Sequence, residues 1–170
     1  MNSRDEALAF LCNLGASQRL IRHAKLVSEV ANELSSRLMQ LSLDLDKTFV
    51  LVGAVLHDAG KIKYPEELDQ PGNQHGEAGY QLLIDNGIAP QLARCCQSHA
   101  RWKSMESTFE ELLIALSDTL WKGKRERDLE MQIIDETARQ LGKTRWDVFF
   151  MLDSFFEHIA NQAENRLGRS

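Results

Sequence analysis

Apolar residues recur along this chain every three or four positions, the spacing that places side chains on one face of an α-helix. The clearest stripe consists of Leu20, Leu26, Val27, Val30 and Leu34. Similar stripes run through most other segments, and we find no strand-like alternation of apolar and polar residues. The pattern predicts an all-α fold of about seven or eight helices.

Capping residues and helix-breaking residues set the expected ends of these helices. Ser3, Ser17 and Asp46 are expected to cap the first three, and the third is expected to continue through residues 57 and 58 until Gly60. Pro90 suits the first position of a helix. The stretch 65–73, with two prolines and a glycine, is expected to be a loop. The remaining helices are expected at residues 75–86, 90–101, 108–123, 126–141 and 144–167.

Composition and charge restrict the class of protein. The 170 residues, 43% of them hydrophobic, suit a single domain over residues 1–170. The net charge of −5 and the absence of a long basic run argue against dedicated nucleic-acid binding and against a membrane-surface protein. Small anionic substrates remain compatible with this charge, because a bound metal can neutralise them locally.

The expected location is the cytoplasm. The first residues, "MNSRDEALAFLCNLG", contain no apolar region typical of a signal peptide, and no apolar run approaches the length of a membrane span. The three cysteines, Cys12, Cys95 and Cys96, lack the spacing of a disulfide framework and suit a reducing compartment.

Four polar residues interrupt apolar helix faces that are expected to be buried. His23 lies among leucines and valine, His99 follows two cysteines by one turn, and Asp58 and Asp118 follow apolar turns. Any one such histidine is usually a hydrogen-bonded core residue, but a buried, unpaired carboxylate is costly. Histidines and carboxylates that converge in a core suggest a divalent metal site.

Three short motifs resemble the HD superfamily of metal-dependent phosphohydrolases. "LHDAGK", which contains His57 and Asp58, is close to the family signature "hHDIGK". "RHAKLVSEVA" resembles its opening helix around His23, and "ALSDTL" resembles its late element around Asp118. The resemblance covers residues 16–125, so we expect a core there and a C-terminal helical extension over 126–167.

The resemblance implies a metal-ligand set. It assigns a first ion to His23, His57, Asp58 and Asp118. In the two-metal branches Asp58 bridges, and His75 and His99 hold the second ion. All six positions are occupied, so we expect two divalent ions, with iron, manganese, cobalt and zinc all compatible with these ligand types.

The hypothesis for the reaction is hydrolysis of a nucleotide or related phosphate ester, a monoester or a diester, by a metal-bound hydroxide. Asp58 and Lys61 are the expected catalytic residues. Lys61, Arg101 and Lys122 are the expected contacts to the substrate phosphate, with Lys103, Lys124 and Arg125 extending a basic rim around the site.

Two other functions use the same residues. Some HD-fold proteins are mixed-valence diiron oxygenases with the same six ligands, and a non-catalytic nucleotide-binding module would also retain the fold. The last predicted helix carries Trp146, Phe149, Phe150, Phe155 and Phe156 on a wide apolar face. Core packing is the default for such a face, and a homodimer contact is the alternative.

Overall fold

The computed structural model describes residues 1–169, and within this range the chain forms α-helices and 3-10 turns without a β-strand. The all-α prediction is confirmed. The helices are α1 (Arg4–Asn13), α2 (Gln18–Gln40), α3 (Lys47–Leu56), α4 (Gln74–Asp85), α5 (Pro90–Ala93), α6 (Cys95–Arg101), α7 (Phe109–Leu120), α8 (Arg127–Leu141), α9 (Arg145–Asn161) and α10 (Ala163–Leu167). Two 3-10 turns, Ala59–Ile62 and Pro65–Leu68, connect α3 to α4.

The expected helix caps are present. Ser3, Ser17 and Asp46 each accept a hydrogen bond from the backbone amide three residues further along. Gly142 ends α8 in the left-handed region at φ 61°, which a glycine adopts without a Cβ clash. Local chemistry therefore determines these ends, as the sequence indicated.

The third helix is shorter than predicted. Its regular part ends at Leu56 instead of continuing to Gly60, and Asp58 leaves helical geometry at φ −104° and ψ 17°. A 3-10 turn follows, and α4 packs directly against that turn. The early end turns the side chains of His57 and Asp58 toward the same region, which a continuous helix would not do.

Two predicted helices are interrupted. Arg94 separates α5 from α6, where its carbonyl accepts a bond from the amide only three residues ahead. Gln162 separates α9 from α10, and the buried guanidinium of Arg166 donates to the Ile159 carbonyl beside the break. If each pair is counted as one, the described helices number eight. The predicted loop at 65–73 contains the 3-10 turn Pro65–Leu68.

The core is built around α2, α3 and α7, which pack against one another, with α4 and α6 closing the side that carries His75 and His99. Val27, Val55 and Leu116 are fully buried there. The later helices contribute to the same apolar cluster through Ile133 and Phe156. The predicted division at residue 125 stays a prediction.

The apolar face of α9 is only partly covered. Phe156 is buried, whereas Trp146 is 65% and Phe150 72% exposed. The homodimer contact, the alternative to core packing for this face, stays a prediction. Among the described helices, none combines the length and the apolar character needed to cross a membrane.

Candidate metal centre

Five helices bring the predicted ligands to one place. His23 lies on α2, His75 in the first turn of α4, His99 on α6 and Asp118 on α7. His57 caps α3 and Asp58 follows it. The structure thus brings together all six residues that the family resemblance implies as metal ligands.

The carboxylate of Asp58 lies at the centre of this cluster. Its Oδ2 is 3.0 Å from His23 Nε2 and 3.5 Å from His57 Nε2. Its Oδ1 is 3.5 Å from His75 Nε2 and 3.6 Å from His99 Nε2. The two oxygens therefore face two different histidine pairs, and each pair with Asp58 could hold an ion.

Asp118 lies on the side of the first pair. Its Oδ1 is 3.4 Å from His23 Nε2 and 3.5 Å from His57 Nε2, and those two nitrogens are 3.3 Å apart. The first group thus has two imidazole nitrogens and two carboxylate oxygens, a donor set that suits first-row divalent metals. We call this set, His23, His57, Asp58 and Asp118, the first group, and Asp58, His75 and His99 the second group.

Two of these histidines are held by their other ring nitrogen, Nδ1. Nδ1 of His57 lies 2.9 Å from the Ala54 carbonyl oxygen. Nδ1 of His99 lies 2.9 Å from the Cys95 carbonyl oxygen. A carbonyl only accepts, so both Nδ1 atoms donate and the ring protons lie there. Such contacts orient metal-binding histidines and leave Nε2 free to coordinate.

Two polar atoms of the second group are buried without a hydrogen-bond partner among residues 1–169. They are Asp58 Oδ1 and His75 Nε2. Burying an unsatisfied carboxylate oxygen is unfavourable, and two such atoms facing each other at 3.5 Å call for a shared partner. A divalent cation between them would satisfy both, so the residues present fit a metal ion.

The charged side chains of the cluster shift one another's pKa values strongly. Burial alone would lower the pKa of His57, but the negative charges of Asp58 and Asp118 outweigh it and raise the pKa from 6.5 to about 10. Burial would raise the pKa of Asp58, yet the His57 charge brings it well below its ordinary value. The pKa of Asp118 is lowered in the same way, because its hydrogen bond with His57 outweighs the effect of burial. Without metal, a proton on His57 thus supplies positive charge beside the two carboxylates, which a metal cation would otherwise supply.

His99 has the opposite shift. Burial and the positive charge of His57 lower the pKa of His99 from 6.5 to about 4. Its imidazole is therefore neutral at pH 7, the form in which Nε2 can bind a cation.

The centre opens into a cleft of about 430 Å³. Asp58 and Asp118 contribute to its wall, and Lys61, Arg101 and Lys122 line it as well. The Lys61 ammonium donates to Asp58 Oδ2 at 2.7 Å, and Lys122 Nζ lies 3.8 Å from Asp118 Oδ2. The three basic residues proposed to contact a phosphate thus share one opening with the metal-binding cluster.

A second cleft of about 360 Å³ also reaches the first group. His23 and Trp121 lie in its wall, and their rings meet edge to face with centroids 5.0 Å apart. Lys61, Asp118 and Lys122 line both clefts, so the two clefts adjoin each other beside the metal-binding cluster.

The structure corrects one member of the predicted basic rim. Arg125 points away from the cleft and makes a bidentate ion pair with Glu130 at 2.6 and 2.8 Å, plus a contact with Asp153 at 2.7 Å. Lys103 and Lys124 do line the cleft. Arg125 therefore joins the start of α8 to α9 and is unavailable to an anion.

Sequence reasoning did not identify Glu67. Its carboxylate lies 2.5 Å from His75 Nδ1, in a stretch expected to be only a loop. The available signal was a carboxylate shortly before a histidine at a helix start, followed by Gly72, which gives the chain room to turn back.

Comparison with known proteins gives a family and two relatives. A family model described as the HD domain matches residues 20–138. The chain is 27% identical over 154 residues to an uncharacterized protein of Methanocaldococcus jannaschii, covering 82% of this chain and 86% of that protein. It is 28% identical over 148 residues to a tRNA (cytidine(56)-2'-O)-methyltransferase of Thermoplasma volcanium, covering 78% of this chain but only 40% of the methyltransferase. No solved structure matches significantly.

Proposed function

This chain belongs to the HD domain family, and from that premise we propose that it is a metal-dependent phosphohydrolase acting on a nucleotide or a related phosphate ester. The family match agrees with the motifs around His23, Asp58 and Asp118. The proposed cofactor is a pair of divalent ions, iron, manganese, cobalt or zinc, held by the first and second groups.

The observation that carries this proposal is the position of Asp58. Its two oxygens face separate histidine pairs, and the oxygen facing His75 and His99 has no hydrogen-bond partner among the described residues. A carboxylate in that position can bridge two cations, which is the arrangement that many phosphoryl-transfer sites use.

The chain's own residues would divide the work between binding and charge control. When bound, the ions supply Lewis acidity to the phosphoryl group and lower the pKa of a water ligand. Asp58 would hold the ions together and accept a hydrogen bond from the attacking water. Lys61, already 2.7 Å from Asp58 Oδ2, would place its charge beside a phosphoryl oxygen. Arg101 and Lys122 would hold the remaining phosphate oxygens at the cleft wall.

The nucleotide part of the proposal rests on the cleft. At about 430 Å³ it is within the usual range of small-molecule sites, and the Trp102 indole lies in its wall beside the basic residues. An aromatic face next to phosphate-binding cations suits a base attached to a phosphate. The similarity to a part of a protein named as a tRNA (cytidine(56)-2'-O)-methyltransferase supports the use of ribonucleotides in the substrate panel.

The test combines metal analysis with a substrate panel. The wild-type protein would be purified anaerobically, its metal content measured, and hydrolysis of mononucleotides, cyclic nucleotides and dinucleotides assayed by chromatographic separation of the products. Asp58→Asn removes the bridging charge, and Asp44→Asn, in an exposed loop, is the matched control. We expect metal-dependent hydrolysis of at least one panel member, which Asp58→Asn abolishes and Asp44→Asn retains.

Two results would overturn the proposal. Two iron atoms per chain, with substrate-dependent oxygen consumption and no hydrolysis of any phosphate ester in the panel, would establish the diiron oxygenase instead. Nucleotide binding that persists in Asp58→Asn, with no turnover of any panel member by the wild-type protein, would establish a binding module.

A further inference from the structure

We propose that Glu67 is a positioning residue that sets the affinity of the second group for its metal ion, an inference that rests on the metal centre proposed above. Glu67 contacts none of the atoms that would react. It acts through His75, whose ring it holds from behind.

The Glu67 carboxylate makes three hydrogen bonds at the start of α4. Oε2 accepts from His75 Nδ1 at 2.5 Å and from the His75 backbone amide at 3.1 Å, and Oε1 accepts from the Gln74 amide at 3.1 Å. The Glu67 side chain is only 5% exposed. Asn73 occupies the N-cap position of α4 but makes no side-chain cap bond. Glu67, which lies outside the helix, accepts hydrogen bonds from the first amides of α4 in its place.

The surrounding backbone is shaped to admit this carboxylate. Glu67 lies in the 3-10 turn Pro65–Leu68, and the chain then folds back through Gly72. A Cβ atom at Gly72 would stand 2.2 Å from the Glu67 carboxyl carbon. Glycine at position 72 therefore leaves the space that the carboxylate fills.

The contact fixes which nitrogen of His75 carries the ring proton. A carboxylate only accepts, so the proton lies on Nδ1 and the Nε2 lone pair points at Asp58 Oδ1. His75 Nε2 is buried without a partner among residues 1–169, which makes it ready to coordinate an ion.

His75 differs in this respect from His57 and His99. Those two histidines donate Nδ1–H to backbone carbonyls, which are neutral, whereas His75 donates to a charged carboxylate. A carboxylate partner makes the imidazole a stronger metal ligand than a neutral partner does. The metal affinity of the second group thus depends on Glu67. That of the first group does not, because the first group does not contain His75, the residue that Glu67 holds.

The experiment is a metal titration of the full chain. Metal-free wild-type, Glu67→Gln and Glu66→Gln proteins would be titrated with Mn²⁺, and bound metal measured by equilibrium dialysis. Glu67→Gln keeps the size of the side chain and removes its charge. Glu66→Gln makes the same change one residue earlier, on an exposed side chain, and is the matched control.

We expect the second ion to bind about 10- to 100-fold more weakly to Glu67→Gln, the range typical for loss of such a partner. The first ion and the Glu66→Gln control should retain wild-type affinity. If Glu67 only stabilises the start of α4, the result is different. Glu67→Gln then lowers the unfolding temperature of the metal-free protein and leaves both metal affinities unchanged. That result overturns the proposal.

The titration also separates this inference from the proposed function. Wild-type protein that binds two ions, together with Glu67→Gln that does the same with equal affinity, rejects the role of Glu67 and leaves the phosphohydrolase proposal intact. Wild-type protein that binds no Mn²⁺, Fe²⁺, Co²⁺ or Zn²⁺ rejects both.

Discussion

The backbone of Gly60 lies directly against the carbonyl of His75. A Cβ atom at position 60 would stand 1.8 Å from that oxygen and 2.7 Å from the amide nitrogen of Gly79 on the same helix. The turn after Asp58 and the helix that carries His75 can therefore meet only because position 60 has no side chain. This contact sets the distance between Asp58 and His75.

Gly60→Ala is expected to destabilise the protein by about 3 kcal/mol, the upper part of the usual range for overpacking, because the added methyl group meets backbone rather than a movable side chain. It should also weaken metal binding, since α4 must move away. Chemical denaturation and metal dialysis measure the two effects. Gly168→Ala, where a Cβ atom would make only ordinary contacts, is the control.

Lys61→Met should lower kcat/KM for phosphate-ester hydrolysis about 100-fold and leave the metal content unchanged. The reason is that Lys61 contributes charge beside Asp58 but is not a metal ligand, and loss of one such donor commonly costs about 100- to 1,000-fold. Lys63→Met, two residues further on and exposed, should retain full activity. Loss of metal from the Lys61 variant would instead show that Lys61 helps the ligand cluster to retain its metal.

The metal-free protein should lose stability as the pH rises. The His57 pKa is raised from 6.5 to about 10 because, against the effect of burial, Asp58 and Asp118 favour its charged form. This contribution to the free energy of unfolding is fully present below about pH 6.5 and disappears as the pH passes through about 10. Urea denaturation of chelator-treated protein between these pH values measures it. A His57→Gln variant that showed the same fall would contradict the prediction.

Arg125→Met should destabilise the fold without changing the ligand set. It leaves Glu130, whose side chain is 6% exposed, without its bidentate partner. Breaking a buried pair costs about 3–5 kcal/mol, and because Arg125 is 31% exposed we expect about 2 kcal/mol. Arg145→Met breaks a pair in which both partners are 45% exposed and screened by solvent, and should destabilise the fold clearly less than Arg125→Met does. Thermal or urea unfolding distinguishes the two variants.

Local sequence signals were enough for the helix starts, and the cluster followed from polar residues on inward faces together with the family resemblance. Ser17 and Asp46 cap their helices through bonds to residues three positions away, which a sequence shows directly. His23, Asp58 and Asp118 interrupt inward faces, so the packing of α2, α3 and α7 forces them together. The family match over residues 20–138 agrees with the motifs that carried this reasoning.

The residues that escaped prediction depend on the path of turns. Glu67 reaches His75 because the chain folds back at Gly72, and nothing in the spacing of the two residues requires that path. Arg125 belongs to a run of basic residues in the sequence, but the turn after α7 directs it toward Glu130 and Asp153. Side chains of neighbouring residues in a turn can point in opposite directions. The number of basic residues in a stretch of sequence does not show which of them face the cleft.

The separation of the ligands along the chain has a consequence for folding. His23 and Asp118 lie 95 positions apart, yet their side chains are 3.4 Å from each other. An ion held by both would act as a reversible cross-link that closes a loop of most of the domain, as a disulfide does in an oxidising compartment. Metal supply would then govern how long the folded chain survives, as well as whether it is active.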